Sequence, residues 1–332
     1  MSVPCLNLRL TFRRSSGSFL RLLPTAAMLA CGATLPAALG VCLGHESPGF
    51  IASSGAYFVT IAHADLPTKG RAQRLATTVL MLCVGAIAGA SAGQRVWVFL
   101  PVAALAASWQ AWTEIANTAL RFPAAIAVLA LLLSTGNISP DLSVATYGAA
   151  FAAGAVWQGL IQYAAAQPSD KPSATLADDI DALMSCVTAA RRFIATMAML
   201  GVAGGTIAAS LPLPHAAWLL TAALRVTKPS QAETLRRLKD RFIGTAGGAV
   251  VSAGLLGWQL PPLLYAGILG LMLTVMQLVG PRHYAVWTFC LTVTALDLGQ
   301  RAHEIGWHAA GDRLLLTIGG LALAGLFSLR LR

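Results

Sequence analysis

An all-α integral membrane protein is the fold class this sequence predicts, with about twelve transmembrane helices built as two parallel six-helix repeats. Three observations carry the prediction. The chain is 56% hydrophobic and only 11% charged, with a mean hydropathy of +0.68, whereas an ordinary soluble domain is about 25% charged. Apolar stretches bounded by charge, Pro or Gly recur along all 332 residues. The basic residues gather in alternate connections between those stretches.

In the first half the stretches fall at about 22–44, 50–64, 75–93, 96–110, 122–136 and 143–165. Six more follow at about 193–211, 214–226, 242–257, 261–279, 284–298 and 314–329. A crossing helix takes about 20 apolar residues, and the second and fourth stretches of each half are the least well marked. Little chain is left for a soluble domain. Arg9, Arg13, Arg14 and Arg21 before the first stretch, and Pro36-Ala37-Ala38-Leu39-Gly40 within it, have features of a cleaved signal. The stretch is long for one, however, and has a counterpart in the second half, so it is read as a retained span.

Orientation follows from Lys and Arg, which resist translocation and collect on the cytoplasmic side. With the N-terminus inside, all of the 23 basic residues except Arg95, Arg301 and Arg313 fall on the cytoplasmic side. That assigns an inner-membrane, multi-pass protein with both termini cytoplasmic. It also turns the net charge of +10 into a topology signal and removes nucleic acid as a partner. The lipid bilayer is the partner the composition demands. Cys5, Cys31, Cys42, Cys83, Cys186 and Cys290 stand far apart and mostly inside apolar runs, so they are read as packing residues, with no metal knuckle or disulfide framework.

The halves repeat one plan. Tyr57-Phe58-Val59-Thr60 lies opposite Trp218-Leu219-Leu220-Thr221, Arg74-Leu75-Ala76-Thr77-Thr78 opposite Arg241-Phe242-Ile243-Gly244-Thr245, and Arg121-Phe122-Pro123-Ala124 opposite Arg282-His283-Tyr284-Ala285. Six spans is an even number, so the copies share one orientation and are related by a pseudo-two-fold axis along the membrane normal. The domains are then residues 1–165, a linker at 166–192 and residues 193–332. Within the linker, Leu176, Ile180, Leu183 and Val187 mark one face of a short amphipathic cytoplasmic helix. Asp178, Asp179 and Asp181 accompany it, and a cation site there is the competing reading.

The second half, over about 185–332, resembles the fusaric acid resistance (FUSC) family of aromatic acid exporters. The residues that carry the likeness are Trp218-x-x-Thr221-Ala222, Pro229, Arg237, Arg241, Gly244-Thr245, Gly247-Gly248, Tyr284-Ala285, Leu291-Thr292 and Arg313-x-x-x-Thr317-x-x-Gly320. Residues 18–165 resemble it as a degraded copy, and a more distant similarity runs to the plant aluminium-activated malate transporter channels. The resemblance implies a secondary exporter of small aromatic or organic carboxylates, with a channel-like anion conductor as the alternative. A periplasmic adaptor is a candidate partner. Many family members carry large cytoplasmic domains that have no counterpart in this sequence, where the linker is short.

An anion crossing hydrocarbon needs cations that hold it weakly enough to release it. Arg74 and Arg241, at matching starts of the third spans, meet that need, and Arg225, Lys228 and Arg237 extend the same basic surface. Ordinary positive-inside anchoring is the competing reading for all five. Trp218, Tyr284 and Trp287 are candidates to stack an aromatic substrate or to anchor at the interface. Asp297, at the end of the fifth span of the second half, is a candidate proton-coupling carboxylate or a satisfied helix end. Gly85-x-x-x-Gly89-x-x-x-Gly93 and Gly244-x-x-x-Gly248 read as tight helix contacts in different registers. His303, Glu304, His308 and Asp312 leave a membrane enzyme as a distant alternative. No phosphate loop, nucleotide fingerprint or Ser/His/Asp order is found, so neither a cofactor nor an enzyme is expected.

Overall fold

The computed structural model describes residues 16–62, 70–93, 95–135, 142–165, 176–213, 215–258, 260–299 and 306–329. Among them every regular element is a helix: α1 (Ser16–Cys42), α2 (Glu46–Ala62), α3 (Arg71–Ala92), α4 (Val96–Ala116), α5 (Arg121–Ser134), α6 (Val144–Ala165), α7 (Leu176–Ser210), α8 (Ala217–Val226), α9 (Gln231–Gly257), α10 (Pro262–Val279), α11 (Tyr284–Gly299) and α12 (Gly306–Ser328). Each apolar stretch read from the sequence meets one of them. Seven are long and apolar enough to cross a membrane, namely those in α1, α3, α4, α6, α7, α10 and α12.

The short helices lie inside. Every residue of α8 is buried, as are most of α5 and the C-terminal half of α2. A helix wrapped in other helices is shielded from lipid, so the usual length for crossing hydrocarbon does not bind it. The longer helices surround this interior and turn outward residues such as Leu80, Leu105, Leu160, Val250 and Leu271, all exposed.

Packing within residues 1–165 runs α1 on α2, α2 on α6, α3 on α5 and α3 on α6; within residues 176–332 it runs α7 on α8, α8 on α12, α9 on α11 and α9 on α12. Between the two sets, α4 packs on α7 and α10 on α1. Glycines set the close approaches between helices, among them two ridges read from the sequence. A Cβ at Gly89 would strike the Leu131 carbonyl and one at Gly85 would come within 2.6 Å of the Ala127 carbonyl, so α3 lies directly on α5. Gly244 and Gly248 bring α9 onto Ala285 and Phe289 of α11 in the same way, nearer the start of both helices.

Two boundaries differ from the sequence reading. The linker helix is not separate: α7 runs unbroken from Leu176 to Ser210, because no Pro interrupts it and Ala-rich sequence carries it across residue 193. Its buried face is also different, comprising Asp179, Leu183 and Ala190, while Ile180, Met184 and Val187 are exposed. Likewise α9 starts at Gln231, eleven residues before the apolar stretch at 242–257, since Glu233 and Arg237 support its first turns as an i,i+4 ion pair. Of the cysteines read as packing residues, Cys290 is buried, whereas Cys31 and Cys42 are exposed.

Candidate functional site

One end of the bundle, where α8 gives way to α9, concentrates buried cations. Pro229 keeps Lys228 out of helical conformation, so α8 stops at Val226 and α9 begins after Ser230. Thr234 fastens the turn: its Oγ1 accepts from the Lys228 backbone N–H at 2.9 Å and donates back toward the carbonyls of Lys228 and Ser230. This turn aims Arg225, Arg237 and Arg241 at the starts of α5 and α11, and Lys228 at Glu114 near the end of α4.

The geometry is that of a cation and aromatic cluster. The Arg225 guanidinium lies over the rings of Phe122 (5.7 Å) and Trp287 (5.3 Å), and that of Arg237 over Tyr284 (5.1 Å). Arg241 donates from Nη1 to the Tyr284 hydroxyl at 3.2 Å. Tyr284 and Trp287 stack at 6.1 Å and 14°. Two carboxylates stand at this cluster and both are taken, Glu114 by Lys228 Nζ at 2.7 Å and Glu233 by Arg237 at 3.0 Å. Burial pushes the Lys228 ammonium down to about 8, and the Glu114 charge opposes that shift. Arg225 and Arg241 make no ion pair among the described residues, and Nε and Nη2 of the wholly buried Arg241 find no hydrogen-bond partner. An uncompensated buried cation is expensive to hold, and an anion is what offsets it.

Arg74 is held differently. Its Nη2 lies 3.0 Å from Asp179 Oδ2, with both side chains 4% exposed. Asp179 Oδ1 also accepts the Ala119 backbone N–H at 3.2 Å, and four residues on the Leu183 carbonyl accepts from Trp112 Nε1 at 2.8 Å. The acidic residue comes from the part of α7 read as linker. Arg74 and Arg241, matched in sequence, therefore have unlike surroundings.

The expected aromatic trio also divides. Tyr284 and Trp287 join the cluster, but Trp218 sits toward the opposite end, stacked on His215 at 4.7 Å and 15°. The Arg313 guanidinium lies 4.4 Å from the Trp218 ring centre. Arg313 is fully buried, and among the described residues none of its three guanidinium nitrogens has a hydrogen-bond partner. Reading the sequence for cytoplasmic cations set it on the other side, just before the stretch at 314–329; its place in the resemblance motif Arg313-x-x-x-Thr317-x-x-Gly320 was the available signal. Along α9, α11 and α12 the hydroxyls of Thr245, Ser252, Thr288, Thr292 and Thr317 are buried and unpartnered as well. Elsewhere Thr60, Thr221 and Thr274 bond back to the carbonyl four residues earlier, the usual arrangement within a helix.

Beside Trp218 a cavity of about 40 Å³ lies between the two sets of helices, lined by Tyr57, Ser134 and Tyr147 on one side and by Trp218, Leu291 and Thr294 on the other. It has room for water but not for an aromatic acid. Asp297 is in the last turn of α11, and its side chain lies outside the described residues, as do His303 and Glu304. His308 is exposed and Asp312 half-buried at the start of α12.

Residues 202–327 match the family described as fusaric acid resistance protein-like. The matched segment begins within α7 and takes in the cation cluster, the hydroxyl seam and Arg313. A protein of Synechocystis sp. (strain ATCC 27184 / PCC 6803 / Kazusa), printed as "Uncharacterized protein slr1298", is 34% identical over 131 residues, which is 39% of this chain and 17% of that protein. The chain thus aligns with about a sixth of the relative's length. No solved structure matches. Family match and apolar helices together support a multi-pass membrane protein.

Proposed function

We propose that this chain, whose residues 202–327 match the fusaric acid resistance protein-like family, is a secondary exporter of small aromatic or organic carboxylates in the inner membrane, with both termini cytoplasmic. The observation that carries the reading is the cluster of the buried Arg225 and Arg241 and the half-buried Arg237 against Phe122, Tyr284 and Trp287, which holds more positive charge than the two carboxylates described there compensate. A guanidinium pairs with a carboxylate through parallel N–H donors, and the stacked Tyr284 and Trp287 rings offer a face to a planar substrate. Both recognition elements lie where α9 leaves the basic surface, so a substrate would be captured there and passed into the hydroxyl seam.

The reading takes the architecture as two parallel six-helix repeats, residues 1–165 and 193–332, joined by 166–192. Its support is that helix pairings recur with a shift of six, the contacts between the sets included: α4 on α7 answers α10 on α1. Asp297 is assigned to proton coupling, on its place at the end of α11, and a periplasmic adaptor would receive the exported acid.

Everted membrane vesicles containing the protein should accumulate radiolabelled benzoate in response to a proton gradient, above vesicles lacking it. Arg241→Gln should lower that uptake about 5- to 150-fold at unchanged membrane abundance, the range expected when about 1–3 kcal/mol of charged hydrogen bonding is lost. No uptake across a panel of aromatic and short organic acids would end the carboxylate reading. Ohmic anion current independent of the gradient would make the protein a channel.

A further inference from the structure

The structure assigns a second anion station to Arg313, deeper in the bundle and on the far side of the hydroxyl seam from the Arg225 and Arg241 cluster. This rests on the proposed carboxylate transport and adds to it a site with its own residues. Arg313 is fully buried, lies 4.4 Å over Trp218, and leaves Nε, Nη1 and Nη2 without hydrogen bonds. A structural arginine in a helix bundle would normally be met by a carboxylate or by backbone carbonyls, because an unpaired buried charge is strongly destabilising. Here the group stands unpaired beside the Trp218 wall of a water-sized cavity, with the unpartnered Thr317 hydroxyl one turn further along α12.

Spacing supports a relay. Trp218 and Arg225 are seven residues apart on α8, about 10 Å at 1.5 Å per residue, so an anion released by the first cluster reaches the second within one such step. Thr288 and Thr292 lie on α11 between the Tyr284 and Trp287 end and the cavity-lining Thr294, and offer free hydroxyls along the way. A cation at each end with neutral donors between them lets an anion be bound twice, weakly, instead of once, tightly, which conduction requires. The ligand class is a compact anion, a carboxylate or a sulfonate, that fits against an indole ring.

The test labels Thr317→Cys, in a background with the 6 native cysteines replaced, with anionic sulfonatoethyl methanethiosulfonate (MTSES) and its cationic trimethylammonium counterpart (MTSET). With each rate divided by that reagent's rate with a small free thiol in solution, the anionic reagent should react at least about fivefold faster while Arg313 is intact, Arg313→Lys should keep that preference, and Arg313→Gln should bring the normalised ratio near one. No reaction with either reagent, no anionic preference, or a preference that survives Arg313→Gln would each overturn the assignment. If Arg313→Gln does not accumulate, Arg313→His at pH 8 serves the same purpose, and a ratio still favouring the anion overturns it. The probes do not depend on the exported substrate. Arg313-dependent labelling in a protein that exports no acid keeps the station and removes the exporter reading; benzoate export with indifferent labelling does the reverse.

Discussion

The third, fifth and sixth helices of the two sets pack alike and differ in how polar a stretch they enclose, although the Thr78 hydroxyl of α3, like that of Thr245 on α9, is buried without a hydrogen-bond partner among the described residues. In α3, α5 and α6 the shared space is filled by Ala127, Leu131 and Leu133, with Tyr147 and Phe151 stacked at 6.3 Å and the Tyr147 hydroxyl satisfied by Ser134 at 2.8 Å. In α9, α11 and α12 the corresponding stretches present Thr288, Thr292 and Thr294, then Arg313 and Thr317. A glycine draws the sixth helix onto the second in each set: Gly154 meets the Ala52 carbonyl and Gly320 the Leu219 carbonyl. Counting back from them sets Tyr147-x-x-x-Phe151 against Arg313-x-x-x-Thr317. Helix contacts made by small residues thus tolerate a dry filling or a polar one, and the chemistry can be confined to one set.

The sharpest break in the comparison is at the paired arginines. Arg74→Gln leaves Asp179 buried without its partner and should destabilise the protein by about 3–5 kcal/mol, seen as low membrane abundance or a lowered detergent melting temperature. Adding Asp179→Asn removes the stranded charge and should restore most of that loss. Arg241 has no carboxylate to strand, so Arg241→Gln should leave stability almost unchanged. Recovery of neither abundance nor melting in the Arg74→Gln, Asp179→Asn protein would show that Arg74 does more than neutralise Asp179.

A smaller effect separates a dry interior from a hydrated one. Leu131→Thr places a hydroxyl in the packed first set and should cost about 1–3 kcal/mol unless it finds a carbonyl. The mirror substitution Thr292→Val removes a hydroxyl that has no protein partner, so melting should stay within about 0.5 kcal/mol while benzoate export falls severalfold. Equal destabilisation by both would mean that the Thr292 hydroxyl is tied down and the seam is packed like the other set.

How far the sequence foretold these differences depends on what each feature needs. Helix number and position were legible because long apolar runs and their Pro, Gly and charged borders are local. The inward arginine of α9 was legible from its place at a span start, and Arg225, Arg237, Tyr284 and Trp287 came with it because one turn and one helix start deliver them together. The partner of Arg74 was not, since Asp179 is 105 positions along the chain and an apolar face drawn through Ile180 and Val187 turned it away from the bundle. Trp218 was grouped with Tyr284 and Trp287 as an aromatic near a span end, although α8 is so short that its two ends serve different sites. Arg313 was counted among the outside charges; side-chain satisfaction is a property of the packed interior, and only there does its lack of partners become visible.

The weakest expected effect is a pH dependence that belongs to one set alone. Lys228 is pushed down to about 8 by burial, against the pull of Glu114, so the cluster loses one positive charge as pH rises from 7 to 9. Lys228 is one of several cations there, and benzoate affinity should therefore fall only about two- to fivefold, the weight of a unit charge several ångströms away in a partly screened site. Unfolding does not explain such a fall, because linkage has the opposite sign. Between about 8 and the ordinary lysine value of 10.5 the unfolded chain binds more protons than the folded one, and Lys228 adds stability as pH rises through that window. Binding and stability should thus diverge: benzoate affinity by calorimetry declines over pH 7–9 while the melting temperature, with respect to this residue, holds or climbs above pH 8. Lys228→Met should flatten the affinity profile. A decline of the same size in Lys228→Met would assign the lost charge elsewhere and detach Lys228 from the cluster's anion chemistry.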